Sequence, residues 1–159
     1  PGPILALDAS MVIQGPRGQR EVSAKDYFVA LWETAVQPDE LLVEIRVPTT
    51  SMNANSCYEK FAQPASRYPY VGCAVAVDKS GGACSDVRVG FSGVGHVGFR
   101  DFNVEGALKG QALSAASIKA AADTATNGVD VLSDWSVSED YRRAMSRVYA
   151  RRALTKVGL

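Results

Sequence analysis

The stretch that decides the fold is residues 70–91, YVGCAVAVDKSGGACSDVRVGF. Its two apolar runs, residues 71–77 and 87–91, are rich in β-branched side chains, which is typical of buried strands. The Ser-Gly-Gly at 80–82 between them is a turn signal, because glycine adopts the left-handed conformations that tight turns need. The stretch therefore predicts an antiparallel hairpin of two long strands.

Upstream of this hairpin the sequence predicts shorter elements. Residues 1–22 are predicted to form short strands around a turn at 15–18, where Gly-Pro-Arg-Gly interrupts the apolar pattern. Residues 24–31 predict a short helix behind a Ser23 cap. Residues 41–47 alternate apolar and polar side chains, which predicts a strand. We expect one apolar face on that strand, formed by Leu41, Val43, Ile45 and Val47.

The polar residues 49–56 are the best candidate for a domain boundary, and the chain beyond them predicts a sheet followed by helices. Residues 58–62 predict a strand, and residues 63–70 a loop. Helices are predicted at residues 103–108, 114–126 and 137–156, the last opened by a Ser136–Glu139 capping box. The sequence thus predicts an α+β fold in which a small antiparallel sheet packs on helices.

Composition excludes several classes of protein. The chain has 159 residues and 16.9 kDa, of which 47% are apolar and 21% charged, as in an ordinary globular domain. Zero net charge argues against a nucleic-acid-binding protein. No apolar run approaches the roughly 20 residues of a membrane span, and no secretory leader is visible. Because the chain begins with Pro1, we expect a processed protein or a piece of a longer one.

Few residues suit catalysis or metal binding. The three cysteines lack CxxC spacing, which argues against disulfides, zinc or iron–sulfur clusters and favours a reducing compartment. His96 is the only histidine, too few for a multi-histidine metal site. Residues 93–95, Gly-Val-Gly, lack the following helix of a dinucleotide-binding loop and predict a plain turn. We therefore expect no metal site and no complete catalytic site.

The last predicted helix is strongly basic. Arg143, Arg147 and Arg151 form a stripe opposite an apolar face, while Arg152 falls within the apolar arc. The predicted apolar face consists of Tyr141, Met145, Val148 and Tyr149. Two interpretations of the stripe are open. In the first, it is a surface that binds a partner or nucleic acid. In the second, it faces solvent, and Arg152 is buried against a carboxylate. The balanced total charge favours the solvated face.

Residues 60–68 place a lysine, an amide, an arginine and aromatic rings on a strand and its following loop. A cation beside aromatic faces suits an anionic planar ring system, although the same residues also suit ordinary surface. Reasoning from the residues alone leaves both interpretations open.

Five segments of the chain carry a resemblance to a known family in their order, residues 5–28, 32–48, 58–77, 87–111 and 133–154. The most specific pieces are DELLVEIRVP, YEKF with the loop into VGCA, and the EDYRR…RRAL helix. Together they resemble the FAD-binding medium subunit of the molybdenum hydroxylases, the family of carbon monoxide dehydrogenase and xanthine dehydrogenase. The resemblance covers the C-terminal half of such a subunit. It implies that residues 1–50 are the tail of a flavin-binding domain and residues 57–159 the flavoprotein C-terminal domain.

The resemblance also implies a role in electron transfer. In this family, electrons from a molybdopterin site in a large subunit pass through [2Fe–2S] clusters in a small subunit to FAD, which an external acceptor reoxidises. Carried over onto this chain, the residues near the flavin are Leu42, Lys60 and Tyr68. The implied location is cytoplasmic, and the implied partners are the large and small subunits together with an N-terminal flavin-binding half.

The glycine-rich loops that hold the FAD diphosphate in this family have no counterpart in the chain, so we expect an incomplete FAD site. This absence leaves an alternative open. The chain could serve as a non-catalytic assembly module that does not bind flavin, which makes the classification as an enzyme uncertain.

Overall fold

The computed structural model describes residues 1–50 and 54–158, and the fold is α+β, as predicted. Residues 51–53, within the predicted boundary, lie outside the described residues. The strands are β1 (Ser10–Gly15), β2 (Gly18–Ser23), β3 (Phe28–Ala30), β4 (Glu33–Thr34), β5 (Leu41–Arg46), β6 (Asn55–Ala62), β7 (Pro69–Ser80), β8 (Ala83–Ser92) and β9 (Phe99–Arg100). The helices are α1 (Gly2–Ala6), α2 (Ala24–Tyr27), α3 (Phe102–Leu108), α4 (Ala115–Asp123) and α5 (Glu139–Gly158).

The N-terminal sheet has the antiparallel order β2-β1-β5. The predicted hairpin is confirmed, with Gly15 paired to Gly18 across the turn. Met11 and Ile13 of β1 are fully buried and form a small core with Leu5 and Tyr27.

Two predictions for the N-terminal region are wrong. Residues 2–6 form helix α1 rather than a strand, since proline is accommodated in a first helical turn, where its missing N–H has no helical partner. The helix predicted at residues 24–31 ends at Tyr27, and Phe28 already has extended backbone angles. Leu31 is consequently exposed, and Trp32, with a φ of 62°, lies in the turn between β3 and β4.

Strand β5 forms where predicted, but its single apolar face does not. A β-bulge leaves Val43 as an extra residue, because Val12 pairs with Glu44 whereas Ile13 pairs with Leu42. Leu42 and Ile45 therefore share the face of Ile13 and Met11, whereas Leu41 lies across from Gln14. All six residues of β5 are exposed.

The C-terminal sheet has the antiparallel order β6-β7-β8-β9 and contains the predicted central hairpin, which is longer than expected. Both turn glycines, Gly81 and Gly82, have positive φ angles. Residues 71–77 of β7 are buried without interruption. One face of this sheet packs on α3, α4 and α5 and forms the main core, which includes Phe91, Leu108, Ile118 and Leu154.

The C-terminal helices are placed close to their predicted positions, and the cap of α5 differs from the prediction. Ser114 and Ser117 form the capping box of α4. Helix α5 begins at Glu139, and Ser138 accepts the Tyr141 N–H at 3.3 Å. The predicted Ser136 capping box is wrong, because the Ser136 hydroxyl donates to Asp134 at 2.7 Å instead.

Helix α1 joins the two regions by packing on the opposite face of the C-terminal sheet. A Cβ atom at Gly90 would lie 2.4 Å from the Gly2 carbonyl oxygen, so the helix and β8 approach as closely as glycine allows. Arg100 also reaches across, with its guanidinium 3.6 Å from Asp8 and bonded to Glu105. None of the helices in the described ranges has the length and hydropathy of a bilayer-spanning segment.

Candidate functional site

Lys60 lies near the end of β6, on the face of the sheet that α1 also covers. Its cross-strand partner is Gly72, and it shares this face with Tyr58, whereas Phe61 points to the helix-packed core. Alternation along an edge strand produces this arrangement. The Lys60 ammonium is exposed and donates to the Arg67 carbonyl oxygen at 3.1 Å. An ammonium has three N–H groups, so donors remain available for a ligand.

The loop of residues 63–68 is ordered by its own hydrogen bonds. The Gln63 amide oxygen accepts from the backbone N–H and hydroxyl of Ser66, at 2.5 and 2.9 Å. The Gln63 N–H donates to the Tyr68 carbonyl oxygen at 2.8 Å, which closes the loop. Arg67 has a φ of 63°, and the side chain of Tyr68 is 76% exposed. The loop thus presents an aromatic ring beside the strand end that carries Lys60.

The third predicted residue, Leu42, lies in a different sheet. It is 40% exposed on β5, on the side of Ile13. The structure therefore brings Lys60 and the Tyr68 loop together, and it leaves Leu42 on the N-terminal sheet.

Sequence reasoning missed the buried arginine of this region, Arg142. The prediction that Arg152 is buried against a carboxylate is wrong, because Arg152 is exposed and its guanidinium lies 5.0 Å from the ring centroid of Tyr149. Arg142 is 2% exposed instead, and its Nη2 donates to Asp134 at 2.7 Å.

The predicted apolar face of α5 is wrong in part, since Tyr141 is 48% exposed. The buried face of α5 consists of Arg142, Ser146, Ala150, Ala153, Leu154, Val157 and Gly158.

Asp134 is held in its charged form. Its carboxylate accepts from the Ser136 hydroxyl and backbone N–H and from the Val137 N–H, and it faces the Arg142 guanidinium. Hydrogen bonds from Ser136, followed by that of Val137 and the charge of Arg142, lower the pKa of Asp134 to about 2. A permanent negative charge therefore balances Arg142 at neutral pH.

In the part of the chain that the structure describes, the remaining residues of chemical interest do not form a second site. Burial raises the pKa of the Cys73 thiol, which packs as a small side chain in the core. The His96 Nε2 lies 3.7 Å from an exposed Asp130 carboxylate. Within residues 1–50 and 54–158, no group of three or more His, Cys, Asp or Glu side chains is arranged to hold a metal ion.

A cleft of about 160 Å³ lies between α1 and strands β6 and β7, on the face that carries Lys60. Tyr58 and Ala74 line it together with Pro3 and Ala6 of α1. Pockets that enclose a drug-sized ligand measure about 300–1,000 Å³. The cleft is therefore too small to enclose a whole dinucleotide cofactor, and neither Lys60 nor Tyr68 lines it.

Comparison with known proteins identifies the family. Residues 56–157 match the CO dehydrogenase flavoprotein C-terminal domain, and residues 1–50 match the FAD binding domain in molybdopterin dehydrogenase. The carbon monoxide dehydrogenase medium chain of Hydrogenophaga pseudoflava is 32% identical over 94% of this chain and 52% of the relative. The 6-hydroxypseudooxynicotine dehydrogenase complex subunit alpha of Paenarthrobacter nicotinovorans is 31% identical over 96% of this chain and 52% of its own length.

Solved structures agree with this assignment. Carbon monoxide dehydrogenase from Hydrogenophaga pseudoflava, in a form that lacks the Mo-pyranopterin moiety, superposes with a TM-score of 0.90 and 33% identity. The superposition covers 97% of this chain and 54% of that chain. The chain thus spans about half the length of the relatives it matches. It belongs to the CO dehydrogenase flavoprotein family, and it corresponds to the C-terminal part of the FAD-binding medium subunit.

Proposed function

We propose that the chain supplies one wall of the flavin site in the medium subunit of a molybdenum-containing hydroxylase. In this role the subunit passes electrons from the iron–sulfur clusters of a small subunit, through FAD, to an external acceptor. The observation that carries the proposal is the pairing of an exposed lysine with an exposed tyrosine loop at one end of β6, in a chain of this family.

FAD, when bound, accepts electron pairs and returns them to an acceptor, and the protein sets how easily it does so. The Lys60 ammonium favours negative charge on the ring, and its hydrogen bond to the Arg67 carbonyl oxygen fixes its direction. Tyr68 would cover one ring face with its own aromatic face. Leu42, which is 40% exposed on the N-terminal sheet, would contribute an apolar contact. The chain's own residues therefore orient the ring and adjust its charge.

The two matched regions, residues 1–50 and 56–157, have different roles in this proposal. The first completes a flavin-binding domain whose upstream half holds the diphosphate, and the second faces the ring. Strand β5 supports this division, because it is the edge of its sheet and its six residues are exposed. In the assembled subunit the upstream half covers β5.

The proposed partners are a large molybdopterin subunit and a small iron–sulfur subunit. Cytoplasmic location is part of the same proposal. The free thiols of Cys57, Cys73 and Cys84 support it, because a reducing compartment keeps such thiols unpaired.

The test is the reduction potential of the flavin in the native preparation, with Lys60→Met compared with Lys109→Met. Lys109 is an exposed lysine paired with Asp86 on β8, away from the loop. We expect Lys60→Met to lower the potential and Lys109→Met to leave it unchanged. Equal potentials in the two variants would argue against the assigned role of Lys60. Co-purification of the partner subunits without flavin would favour the assembly-module alternative.

A further inference from the structure

Arg142 connects several segments of the C-terminal region that are distant in sequence. Its Nη1 donates to the carbonyl oxygens of Tyr70 and Gly93, each at 2.7 Å. Its Nε donates to the Leu132 carbonyl oxygen at 3.0 Å, and its Nη2 bonds Asp134. Because the residue is 2% exposed, these bonds form away from water, where the loss of a partner is costly.

Two of these carbonyls mark the end of the sheet next to the Tyr68 loop. Strand β7 begins at Pro69 and β8 ends at Ser92, so Tyr70 and Gly93 lie where the β7–β8 ladder stops. Buried carbonyl oxygens at a strand end need donors from outside the ladder. Arg142 supplies one donor group to both and so fixes the two strand ends relative to each other.

Arg142 also acts on the residues that flank the 63–68 loop, through contacts with aromatic rings. Its guanidinium lies 5.9 Å from the centroid of the Tyr70 ring, and that ring lies 5.5 Å from the ring of Phe61. Phe61 directly follows Lys60, and Tyr70 comes two residues after Tyr68. Both ends of the 63–68 loop are therefore held by one buried cation and the rings packed on it.

We propose that Arg142 is the positioning residue of the flavin-facing wall, which consists of Lys60 and the loop of residues 63–68. It does not contact the ring itself. It holds Phe61 and Tyr70, and through them it sets the position of Lys60 and Tyr68. This inference rests on the proposed function for its flavin readout, while its effect on the loop can be measured without flavin.

Arg143 is a matched control, because it is the neighbouring residue and makes bonds of the same kind elsewhere. It donates to the carbonyl oxygens of Thr126 and Val129, both at 2.8 Å, and to Glu139. These partners lie in the segment after α4 and at the start of α5. Arg143→Met thus removes similar hydrogen bonds without touching the loop.

The first measurement is amide hydrogen exchange at Gln63 and Arg67, whose N–H groups close the loop. We expect Arg142→Met to accelerate this exchange roughly tenfold or more, since it removes the donor shared by the Tyr70 and Gly93 carbonyl oxygens. Arg143→Met should leave it within about twofold of the unaltered protein. If Arg142→Met does not fold, Arg142→Lys carries the same test, because a single ammonium cannot reproduce the guanidinium fork. Equal exchange rates in the Arg142 and Arg143 variants would overturn the inference.

The second measurement is the visible spectrum and reduction potential of the flavin in the native preparation. We expect the Arg142 variant to shift both, and the Arg143 variant to shift neither despite a comparable loss of thermal stability. A shift of equal size in the two variants, or none in the Arg142 variant, would overturn the inference. If the native preparation, assembled with its upstream half and partner subunits, carries no flavin, the proposed function fails, and faster loop exchange in the Arg142 variant would then assign Arg142 a role in loop order alone.

Discussion

The two sheets are built from strands of similar character and differ in how well they are covered. Residues 71–77 of β7, at the centre of the C-terminal sheet, are all buried, and Val75 is 1% exposed. Strand β5, at the edge of the N-terminal sheet, also carries four apolar side chains among its six residues, yet Leu41 is 72% exposed and Val43 50%. Both sequences form strands because both favour extended backbone. Whether a strand is buried depends on the elements that pack against it, and the sequence of the strand does not specify those elements.

The two sheets also differ in the contacts that their strands make. The C-terminal sheet is stabilised by a continuous core against α3, α4 and α5. The N-terminal sheet has a smaller core, and exposed ion pairs such as Arg46 with Glu21 cross its surface. The proposed upstream half would supply the cover that the N-terminal sheet lacks.

The largest expected effect compares a core truncation with an edge truncation. Phe91→Ala removes a ring that is fully buried and stacked on Phe99, and we expect a loss of about 3–5 kcal/mol in the free energy of unfolding. Leu41→Ala should change it by less than about 0.5 kcal/mol. Urea unfolding of both variants measures the contrast, and a Leu41→Ala cost close to that of Phe91→Ala would show that β5 is already covered.

A second comparison uses one glycine from each region. A Cβ at Gly93, where φ is +74°, would lie 2.2 Å from the Pro69 carbonyl oxygen, so Gly93→Ala should cost about 2–4 kcal/mol. At Gly18, where φ is +107°, a Cβ meets open space, and only the backbone strain of about 1–2 kcal/mol remains. Thermal unfolding compares the two variants, and equal costs would contradict the packing assigned to the Gly93 turn.

The third prediction concerns the cover itself. Leu41→Asp should leave the isolated chain nearly unchanged, since the side chain is exposed. It should weaken association with a separately expressed upstream half at least about tenfold, or about 1.4 kcal/mol, because a charge would enter an apolar contact. Glu44→Gln, on the same strand, is the control and should have little effect. Titration of the two halves measures the affinities, and unchanged binding of the Leu41 variant would place the contact elsewhere.

The smallest expected effect is a pH dependence in the N-terminal sheet. Hydrogen bonds from Arg20, and then from the Gln37 N–H, lower the pKa of Glu40 to about 2 from its ordinary value of 4.5. A carboxylate with a lowered pKa contributes stability that is present above pH 4.5 and is lost as the pH falls towards 2. Arg20→Met should raise the pKa of Glu40 towards its ordinary value, which NMR titration of the carboxyl carbon can follow. An unchanged pKa would show that the Gln37 N–H alone sustains the shift.

Much of the C-terminal region could be predicted from the sequence. The hairpin of β7 and β8 followed from its β-branched runs and turn glycines, and the helices followed from their caps and periodicity, since these signals are local. Ser136 was assigned the wrong role because its partner, Asp134, offered a competing hydrogen bond two residues away.

Long-range contacts explain two other predictions that were wrong. The bulge at Val43 depends on pairing with β1, and it divides an apolar face that simple alternation predicts. The burial of Arg142 depends on the Tyr70 and Gly93 carbonyls, 72 and 49 residues away in the sequence. Helical periodicity instead directed attention to Arg152. A buried arginine that bonds to backbone leaves no signal in the sequence of its own helix.

The most direct test of the central claim is FAD retention by the chain with and without an upstream half. The upstream part of the Hydrogenophaga pseudoflava carbon monoxide dehydrogenase medium chain is a suitable partner, because this chain is 32% identical to that protein. We predict that the mixture retains FAD in equilibrium dialysis, that the chain alone retains little, and that β5 amides gain protection from exchange on mixing. Strong retention by the chain alone, or a flavin-bearing mixture in which β5 stays unprotected, would contradict the claim that this chain forms the C-terminal wall of a shared flavin site.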